Sequence, residues 1–300
     1  MTDKERLKNL GVPRGTVDVV IDTDACNEVD DQFAISYLLR SKEKLNTVAL
    51  YAAPFSFPGK IDVKTGMEAS YAEIIKLLAL ANETRPTFKG SDKYLESDTS
   101  PVISDAAKDL ASRADSYSPD KPLYVIAIGA LTNVASAIML NPKLAENAVV
   151  VWLGGHGHDL GWTDEFNMRQ DVRAVRYVMS CGIPFVQIPC ECVASTFSIS
   201  APELNEYLVG KNPLADYLAK NVLKAQSESR QKWARILWDV TAVGWLLNDG
   251  DRFMLSRVMH TWLPTDDLKY TENEDTPLGV YVFWINRNAL MTDLIDKLTS

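Results

Sequence analysis

The segment VDVVIDTDACNEVDDQFA, residues 17–34, joins a strand pattern, an acidic loop and the beginning of a helix. Residues 17–21 are β-branched and apolar apart from Asp18, which predicts a buried strand. From residue 30 to residue 40, four apolar side chains recur at helical spacing, namely Phe33, Ala34, Tyr37 and Leu38. A buried strand that leads directly into an amphipathic helix is the first half of a βαβ unit, so this segment predicts an α/β fold.

The same alternation of short apolar runs and amphipathic stretches continues along the chain. Further strands are predicted at residues 47–51, 123–128, 148–153, 184–188, 257–262 and 279–284. Helices are predicted at residues 67–80, 131–140 and 171–180, across most of 201–247, and at the end of the chain. Because strands that are apolar on both faces lie in parallel sheets covered by helices, we expect an open, mainly parallel sheet with helices on both faces, a Rossmann-like arrangement. No linker or repeat divides the chain, so a single domain over residues 1–300 is expected.

Composition limits the classes of function. The chain has 300 residues, 31 Lys+Arg against 40 Asp+Glu, and a formal net charge of −9, which argues against a nucleic-acid partner. No apolar run is long enough to cross a bilayer and no secretory signal pattern opens the chain, so we expect no membrane partner. The four cysteines lack zinc spacing and are expected to be free thiols in a cytoplasmic protein.

The acidic loop of the opening segment is the clearest candidate site. Five carboxylates fall within ten residues, at Asp22, Asp24, Glu28, Asp30 and Asp31. Such a group is self-repelling unless a cation or bound protons offset its charge. Oxygen ligands in this number suit Ca²⁺ or Mg²⁺ better than a transition metal. The alternative is that Asp30 and Asp31 only form the acidic first turn of a helix, where they favour its dipole.

Other polar residues follow the later predicted strands, at the edge where an open parallel sheet binds ligands. Thr132 and Asn133 come after the strand at 123–128. A second group comes after the strand at 148–153 and consists of His156, His158, Asp159, Asp164, Glu165 and Asn167. The two histidines are candidate proton donors, since imidazole titrates near neutral pH, or simply members of an exposed polar loop.

Two of these stretches resemble motifs of the inosine–uridine-preferring nucleoside hydrolases. The family opens with a strand that ends in a DTDxGxDDA-like cluster, and here DTD at residues 22–24 is followed by DDQFA at residues 30–34. The stretch GALTN, residues 129–133, is similar to the family's GPLTN, which also follows a strand.

Two later elements extend the resemblance to most of the chain. Gly154–Gly155, followed by EFN at residues 165–167 and by Asp171, is similar to a third family element. Asp239 in LWDVTA looks like the family's late aspartate at the start of a helix. The four elements occur in the family's order over residues 17–245, which implies the nucleoside hydrolase fold.

The resemblance implies a Ca²⁺-dependent N-ribohydrolase that acts on a small-molecule nucleoside or related riboside. In the family, the ion is held by carboxylates that match Asp24, Asp31 and Asp239 and by a main-chain carbonyl that matches Thr132. The ion binds the ribose diol and the attacking water, whose pKa it lowers, and by analogy Asp24 or Asp30 takes the proton of that water.

The resemblance and the predicted positions together give a set of substrate-binding residues: Asp30, Asp159, Glu165, Asn167, Trp238 and His158. Glu165 and Asn167 would hold sugar hydroxyls as an oxocarbenium-like transition state develops. Asp159, or alternatively His158, occupies the approximate place of a sugar-binding asparagine. Trp238 stands beside a proposed ligand, where its ring is expected to stack on the base. The resemblance also implies a homodimer or homotetramer.

The sequence departs from the family pattern at three places. The spacing between Asp24 and Asp31 is two residues longer than usual, so Asp31 reaches the ion by a bulged path or Glu28 joins the ligands. The stretch AAPF, residues 52–55, lacks the sugar-binding asparagine that follows the second strand in the family. Trp238 stands where many members have a histidine proposed to protonate the departing base.

Two other functions remain open at this point. A non-catalytic nucleoside or sugar sensor would keep the ion site and lack the acid, as the missing histidine before Asp239 indicates. A Mg²⁺-dependent phosphohydrolase similar to haloacid dehalogenases would use the DTD of residues 22–24 as its DxD nucleophile motif. The second alternative leaves Thr132–Asn133 and Glu165–Asn167 unexplained.

Overall fold

The computed structural model describes residues 3–228 and 233–300 and contains one large sheet of eight strands, in the spatial order β3-β2-β1-β4-β5-β6-β12-β9. Its strands are β1 (Val17–Thr23), β2 (Leu45–Ala52), β3 (Thr87–Lys89), β4 (Leu123–Ile128), β5 (Ala148–Leu153), β6 (Phe185–Ile188), β9 (Met254–His260) and β12 (Leu278–Ile285). Every neighbouring pair is parallel except β9 with β12, which closes one edge in the antiparallel sense. The mainly parallel sheet predicted from the sequence is therefore confirmed.

Helices cover both faces of this sheet. The helical segments of the described residues are α1 (Asp3–Asn9), α2 (Asp31–Arg40), α3 (Val63–Ala81), α4 (Asp105–Arg113), α5 (Thr132–Leu140), α6 (Leu144–Asn147), α7 (Phe166–Gln170), α8 (Val172–Ser180), α9 (Ala201–Tyr207), α10 (Pro213–Glu228), α11 (Val240–Leu246) and α12 (Arg287–Thr299). Two small antiparallel pairs complete the fold, β7 (Ser198–Ser200) with β8 (Ala234–Ile236) and β10 (Leu263–Pro264) with β11 (Tyr270–Thr271). None of the described helices is both long and apolar enough to cross a membrane.

Alternate residues of the central strands pack into two separate cores. Val19 and Ile21 of β1 lie in one core with α2, α3, α10, α11 and α12, whereas Val20 lies in the other with α4, α5 and α8. All six residues of β4 and of β5 are buried. A strand covered by helices on both faces must be apolar at successive positions, which is why these strands lack the alternation of a half-exposed sheet.

The elements missed by the sequence patterns are short or polar. The edge strand β3 has only three residues, too few for a periodic signal. The helix α4 is charged or polar outside its buried stripe of Ala106, Ala107, Leu110 and Ala111. The stretch 201–247 is mostly helical as expected, but β8 interrupts it, and residues 229–232 of that stretch lie outside the described residues.

Candidate active site

A pocket with a cavity volume of about 210 Å³ opens at the carboxyl ends of β1, β4, β5 and β6. Its walls are the loop after β1, the ends of β4 and β5, the loops after β5 and β6, and the start of α11. The lining residues are Asp24, Asn27, Glu28, Asp30, Asp31, Ile128, Leu153, His156, Asp164, Glu165, Phe166, Asn167, Cys190, Glu191, Trp238 and Asp239. This is the edge at which the sequence predicts a ligand site.

Four aspartates meet in this pocket. One carboxylate oxygen from each of Asp30, Asp31 and Asp239 lies within 4.8 Å of the other two, a geometry suited to a shared cation. Asp24 lines the same pocket and is close enough to Asp30 and Asp31 to repel their charges. All four side chains are buried, with at most 4% of any of them exposed. The structure thus brings together the aspartates of the predicted ion site.

Local hydrogen bonds aim these carboxylates into the pocket. Asp30 is the N-cap residue of α2, but its side chain makes no capping hydrogen bond; its Oδ2 instead accepts from the main-chain N–H of Asp239 at 3.2 Å. Asp31, the first residue of α2, accepts from the hydroxyl of Thr23 at 2.6 Å. A purely helix-capping role for Asp30 therefore does not fit its contacts.

A tight turn accommodates the two additional residues between Asp24 and Asp31. The N–H of Asn27 donates to the carbonyl of Asp24 at 2.7 Å, and the amide of Gln32 donates to the carbonyl of Ala25 at 3.0 Å. Glu28 forms an ion pair with Arg235 at the rim and is absent from the three-aspartate cluster. Of the two alternatives that the sequence leaves open, the bulged path of the chain fits better than an added Glu28 ligand.

Burial and mutual repulsion make this pocket electrostatically unfavourable for bare carboxylates. Desolvation, with repulsion from neighbouring carboxylates, raises the pKa values of Asp24, Asp30 and Asp239 well above their usual range. Desolvation also raises the pKa of Asp31 to about 7, although its hydrogen bond from Thr23 opposes the shift. Each raised pKa means that the ionised carboxylate is destabilised in the pocket. A bound divalent cation would offset this destabilisation.

The pocket also has oxygen atoms with no partner. Within the described part of the chain, Asp24 Oδ2 and Asn27 Oδ1 are buried and accept no hydrogen bond. Gly129 leaves room for the carboxylate of Asp24. A Cβ at position 129 would lie 3.3 Å from the carboxyl carbon of Asp24 and 2.9 Å from Ala53 Cβ. Unpartnered buried oxygens beside a carboxylate cluster fit a hard cation such as Ca²⁺ or Mg²⁺.

Thr132 does not line the pocket, contrary to the arrangement expected from the sequence. It is fully buried, and its hydroxyl donates to Asp171 at 2.7 Å. It is the first residue of α5. The pocket residue supplied by this part of the chain is Ile128, the last residue of β4.

Glu165 and Asn167 both line the pocket, as expected. Glu165 is the N-cap of α7, and its carboxylate accepts from the N–H groups of Gly155, Asn167 and Met168, each at 2.9 Å. The amide of Asn167 donates to the carbonyl of Leu153 at 3.0 Å. The loop after β5 is therefore fixed through the same carboxylate that faces the pocket.

The two histidines after β5 have different surroundings. His156 lines the pocket, and its Nδ1 accepts a hydrogen bond from the N–H of Glu191 at 3.3 Å. The ring of Trp162 packs against it in a T-shaped arrangement, with ring centroids 4.5 Å apart. His158 instead stacks on Trp262, with ring centroids 4.1 Å apart, and lies outside the pocket lining. Burial lowers the pKa of both imidazoles, that of His158 to about 4.

Asp159 is exposed and, like His158, absent from the pocket lining, so the structure does not bring these two predicted sugar ligands to the site. The turn before them requires a glycine at position 155, because φ there is +72°, a value that favours glycine. A Cβ at this position would also lie only 2.1 Å from the hydroxyl oxygen of Tyr270. That turn directs His156 into the pocket and carries residues 158 and 159 away from it.

Trp238 is half-buried on the pocket wall next to Asp239, as expected for a ring that contacts a ligand. Trp162 has 47% of its surface exposed and contacts His156 from outside the lining. Pocket residues to which no sequence motif assigned a role are Asn27, Ile128, Leu153, Asp164, Phe166, Cys190 and Glu191. The rule that ligands bind beyond strand ends could have found Cys190 and Glu191, since both closely follow β6.

Solved structures share this fold over nearly the whole chain. A plant nucleoside hydrolase, the PpNRh1 enzyme, superposes with a TM-score of 0.75 at 20% identity, covering 96% of this chain and all of that one. An inosine-guanosine nucleoside hydrolase gives a TM-score of 0.75 at 18% identity, covering 94% of this chain and 98% of that one. The fold is therefore that of the nucleoside hydrolases.

The family follows from the sequence itself. The family model of the inosine-uridine preferring nucleoside hydrolases matches residues 19–282, and the chain belongs to this family. A pyrimidine-specific ribonucleoside hydrolase, RihA of Citrobacter koseri, is 28% identical over 200 residues, or 64% of this chain. That match spans 62% of the length of the relative, less than two thirds.

Proposed function

We propose that this chain, acting as one domain over residues 1–300, is a Ca²⁺-dependent hydrolase that cleaves the N-ribosyl bond of a nucleoside or related riboside. The observation that carries the proposal is the meeting of four buried aspartates, Asp24, Asp30, Asp31 and Asp239, in one pocket. Membership of the nucleoside hydrolase family supports the same chemistry. The similar proteins are named for pyrimidine and for purine nucleosides, so likeness alone favours neither base.

The proposed ion ligands are carboxylate oxygens of Asp24, Asp31 and Asp239, with a main-chain carbonyl at the end of β4. That carbonyl is the one of Thr132 that the resemblance implies, or that of Ile128, which lines the pocket. An all-oxygen set favours Ca²⁺ over a softer metal. Bound Ca²⁺ would lower the pKa of a water molecule and hold the hydroxyls of a ribose.

The chain's own residues supply the remaining steps. Asp24 has a buried oxygen with no described partner, so it is the carboxylate best placed to take the proton of the attacking water. Asp30 is anchored by the N–H of Asp239 and faces the same pocket. Glu165 and Asn167 also line this pocket, where they would hold sugar hydroxyls while positive charge develops on the ribose ring.

A non-catalytic nucleoside or sugar sensor is the second candidate function. It is favoured by Trp238, which stands where many family members have a histidine proposed to protonate the departing base. The haloacid-dehalogenase-like alternative loses its basis, because the family match accounts for the acidic segment and the described pocket lining has no lysine. The expected cytoplasmic location and the homodimer or homotetramer stay predictions.

Two measurements on the purified chain test the proposed function. Ca²⁺ added to chelator-treated protein should raise the melting temperature, and free ribose should be released from at least one member of a panel of nucleosides and other ribosides. Stabilisation by Ca²⁺ and by ribosides without release of ribose would favour the sensor. The absence of any response to Ca²⁺ would contradict the proposed ion site.

A further inference from the structure

A second cavity, of about 620 Å³, lies at the amino ends of β1 and β4. Its walls come from residues 8–18, which end α1 and begin β1, and from residues 117–124, which lead into β4. Because β1 and β4 are parallel neighbours, this edge of the sheet is the one opposite the acidic pocket. The cavity is within the usual size range of small-molecule sites and shares no lining residue with the candidate active site.

Most of this cavity is built by a segment that precedes the family match. The match begins at residue 19, and nine of the fourteen lining residues come before it. The segment is fastened across the cavity to the loop before β4. Asn9 is buried and its side-chain amide donates to the carbonyl of Pro119 at 2.8 Å, and Lys8 pairs with Asp120 at 3.0 Å. Membership of the family therefore assigns this cavity no role.

Tyr124 brings a buried hydroxyl without a partner to the cavity. The residue lines the cavity with only 4% of its surface exposed, and its hydroxyl makes no hydrogen bond with any described residue. The hydroxyl of Tyr117, on the same wall, instead donates to Asp18 at 3.0 Å. Burial raises the pKa of Tyr124 to about 12, so at neutral pH its hydroxyl keeps the proton and is a donor. A buried donor of this kind costs stability unless water or a ligand supplies an acceptor.

The charges around the cavity favour an anion. Its basic lining residues are Lys8, Arg14 and Lys121, and its acidic ones are Asp18 and Asp120. Lys8 is paired with Asp120, whereas neither Arg14 nor Lys121 has an ion pair within residues 3–228 and 233–300. The carboxylate of Asp18 on the same wall disfavours a ligand with more than one negative charge. A single carboxylate fits, since a guanidinium binds it through two parallel hydrogen bonds.

The rest of the wall is apolar or aromatic, with Val12, Pro13, Val17 and Pro122 beside the two tyrosine rings. Such a wall suits a flat apolar body. We propose that this cavity is a second ligand site that binds a small aromatic carboxylate. The carboxylate accepts from the Tyr124 hydroxyl and pairs with the free cations of the wall, and the ring lies against the apolar residues. The proposal is independent of the proposed N-ribohydrolase function, because the two sites lie at opposite edges of the sheet.

The test compares two ligands of nearly the same shape on the full chain. 2-Naphthoate carries the carboxylate, 2-naphthamide is its neutral counterpart, and calorimetric titration measures the binding of each. We expect a Kd below about 1 mM for 2-naphthoate and a Kd at least about tenfold higher for 2-naphthamide. The Kd of 2-naphthoate should be the same with and without Ca²⁺. The proposal is overturned by equal affinity for the two ligands, by no measurable binding of 2-naphthoate, or by binding only with Ca²⁺, which would place the carboxylate on the metal ion.

Substitutions in the cavity wall locate the ligand. Arg14→Gln should raise the Kd of 2-naphthoate about tenfold, and the control Lys220→Gln, at an exposed site on α10, should leave it unchanged. Tyr124→Phe should raise the Kd about fivefold without lowering the melting temperature of the free protein, because the hydroxyl that it removes has no described partner. An unchanged Kd in both cavity variants would place the ligand elsewhere and overturn the proposal. A lower melting temperature for Tyr124→Phe would show that the hydroxyl serves the fold, which contradicts its role as a ligand donor.

Discussion

The carboxylate of Asp30 accepts a hydrogen bond from the main-chain N–H of Asp239 at 3.2 Å, across a sequence separation of 209 residues. This contact fastens the start of α11 to the acidic loop that follows β1. Both residues belong to the cluster in which Asp31 is the third member. The two ends of the proposed ion site are thus held together by the protein itself, and a cation would bind between elements that are already joined.

Asp24→Asn should remove both the Ca²⁺ response and turnover. The substitution takes away a proposed ion ligand and the proposed proton acceptor, so we expect at least a 100-fold loss of kcat, by the usual scale of about 10²–10⁴-fold for such groups. Ribose release and the Ca²⁺-induced shift in melting temperature measure the two effects. Asp159→Asn is the matched control, because Asp159 is exposed outside the pocket and should respond like wild type. Retention of full activity by Asp24→Asn would refute its role.

Stabilisation by Ca²⁺ should grow with pH. The pKa of Asp31 is 3.8 in an unfolded chain and about 7 in the folded pocket, so between these values the folded state holds more protons. The stability of the metal-free protein therefore falls as pH rises through this window. Ca²⁺ replaces those protons, and its effect on melting temperature should be larger at pH 8 than at pH 5. A larger shift at pH 5 would contradict the assignment of these carboxylates as ion ligands.

Glu165→Gln should destabilise the fold as well as impair the site. The carboxylate accepts three main-chain N–H groups, and a glutamine side chain has one oxygen in place of two. Loss of charged hydrogen bonds of this kind costs about 1.5–3 kcal/mol each, and unfolding by urea measures the change. The exposed control Glu206→Gln should change stability little. An unaltered urea midpoint for Glu165→Gln would show that this capping is unimportant.

His158 should make the protein less stable in mild acid. Burial lowers its pKa from 6.5 to about 4, so between these values the unfolded chain binds more protons than the folded one. Stability contributed by the neutral ring is present above pH 6.5 and declines as pH falls toward 4. His158→Phe keeps an aromatic ring against Trp262 and removes the titration, so its melting temperature should fall less between pH 7 and pH 4.5. If the melting temperatures of wild type and His158→Phe fall equally between pH 7 and pH 4.5, this explanation is contradicted.

Thr132→Val should weaken the fold and leave the Ca²⁺ affinity nearly unchanged. The hydroxyl of Thr132 is buried and donates to Asp171, which also accepts the N–H of Leu95 and caps α8. Loss of this donor costs about 1–3 kcal/mol of stability. Calorimetric titration with Ca²⁺ provides the second readout. A large loss of Ca²⁺ affinity at unaltered stability would place the Thr132 side chain at the ion site.

The sequence predicted the sheet well because its central strands are apolar on both faces. The bounds of β4 and β5 were predicted to the residue, since each is a six-residue apolar run that stops at a polar residue or glycine. The same runs located the sheet edge at which Asp24, Asp31 and Glu165 lie. Asp239, far along the chain, could be placed in the site only through the family resemblance, because no local pattern connects it to β1.

The structure differs from the predicted site where the direction of a loop decides which residue lines the pocket. His156 and His158 are two residues apart, yet the turn at Gly155 puts one in the pocket and the other against Trp262. Ile128 ends β4 and Thr132 begins α5 four residues later. Only the structure shows that Ile128, and not Thr132, is among the residues that line the pocket. A pattern of residue types does not specify such directions, since they depend on φ angles and on packing against distant residues such as Tyr270.

The most direct test of the ion site is a crystal structure of the chain grown with Ca²⁺. One ion should lie in the pocket with carboxylate oxygens of Asp24, Asp31 and Asp239 and the main-chain carbonyl of Thr132 or Ile128 at about 2.3–2.6 Å. Anomalous scattering distinguishes Ca²⁺ from Mg²⁺ or water at that position. An empty aspartate cluster at saturating Ca²⁺, or an ion held by other residues, would contradict the account.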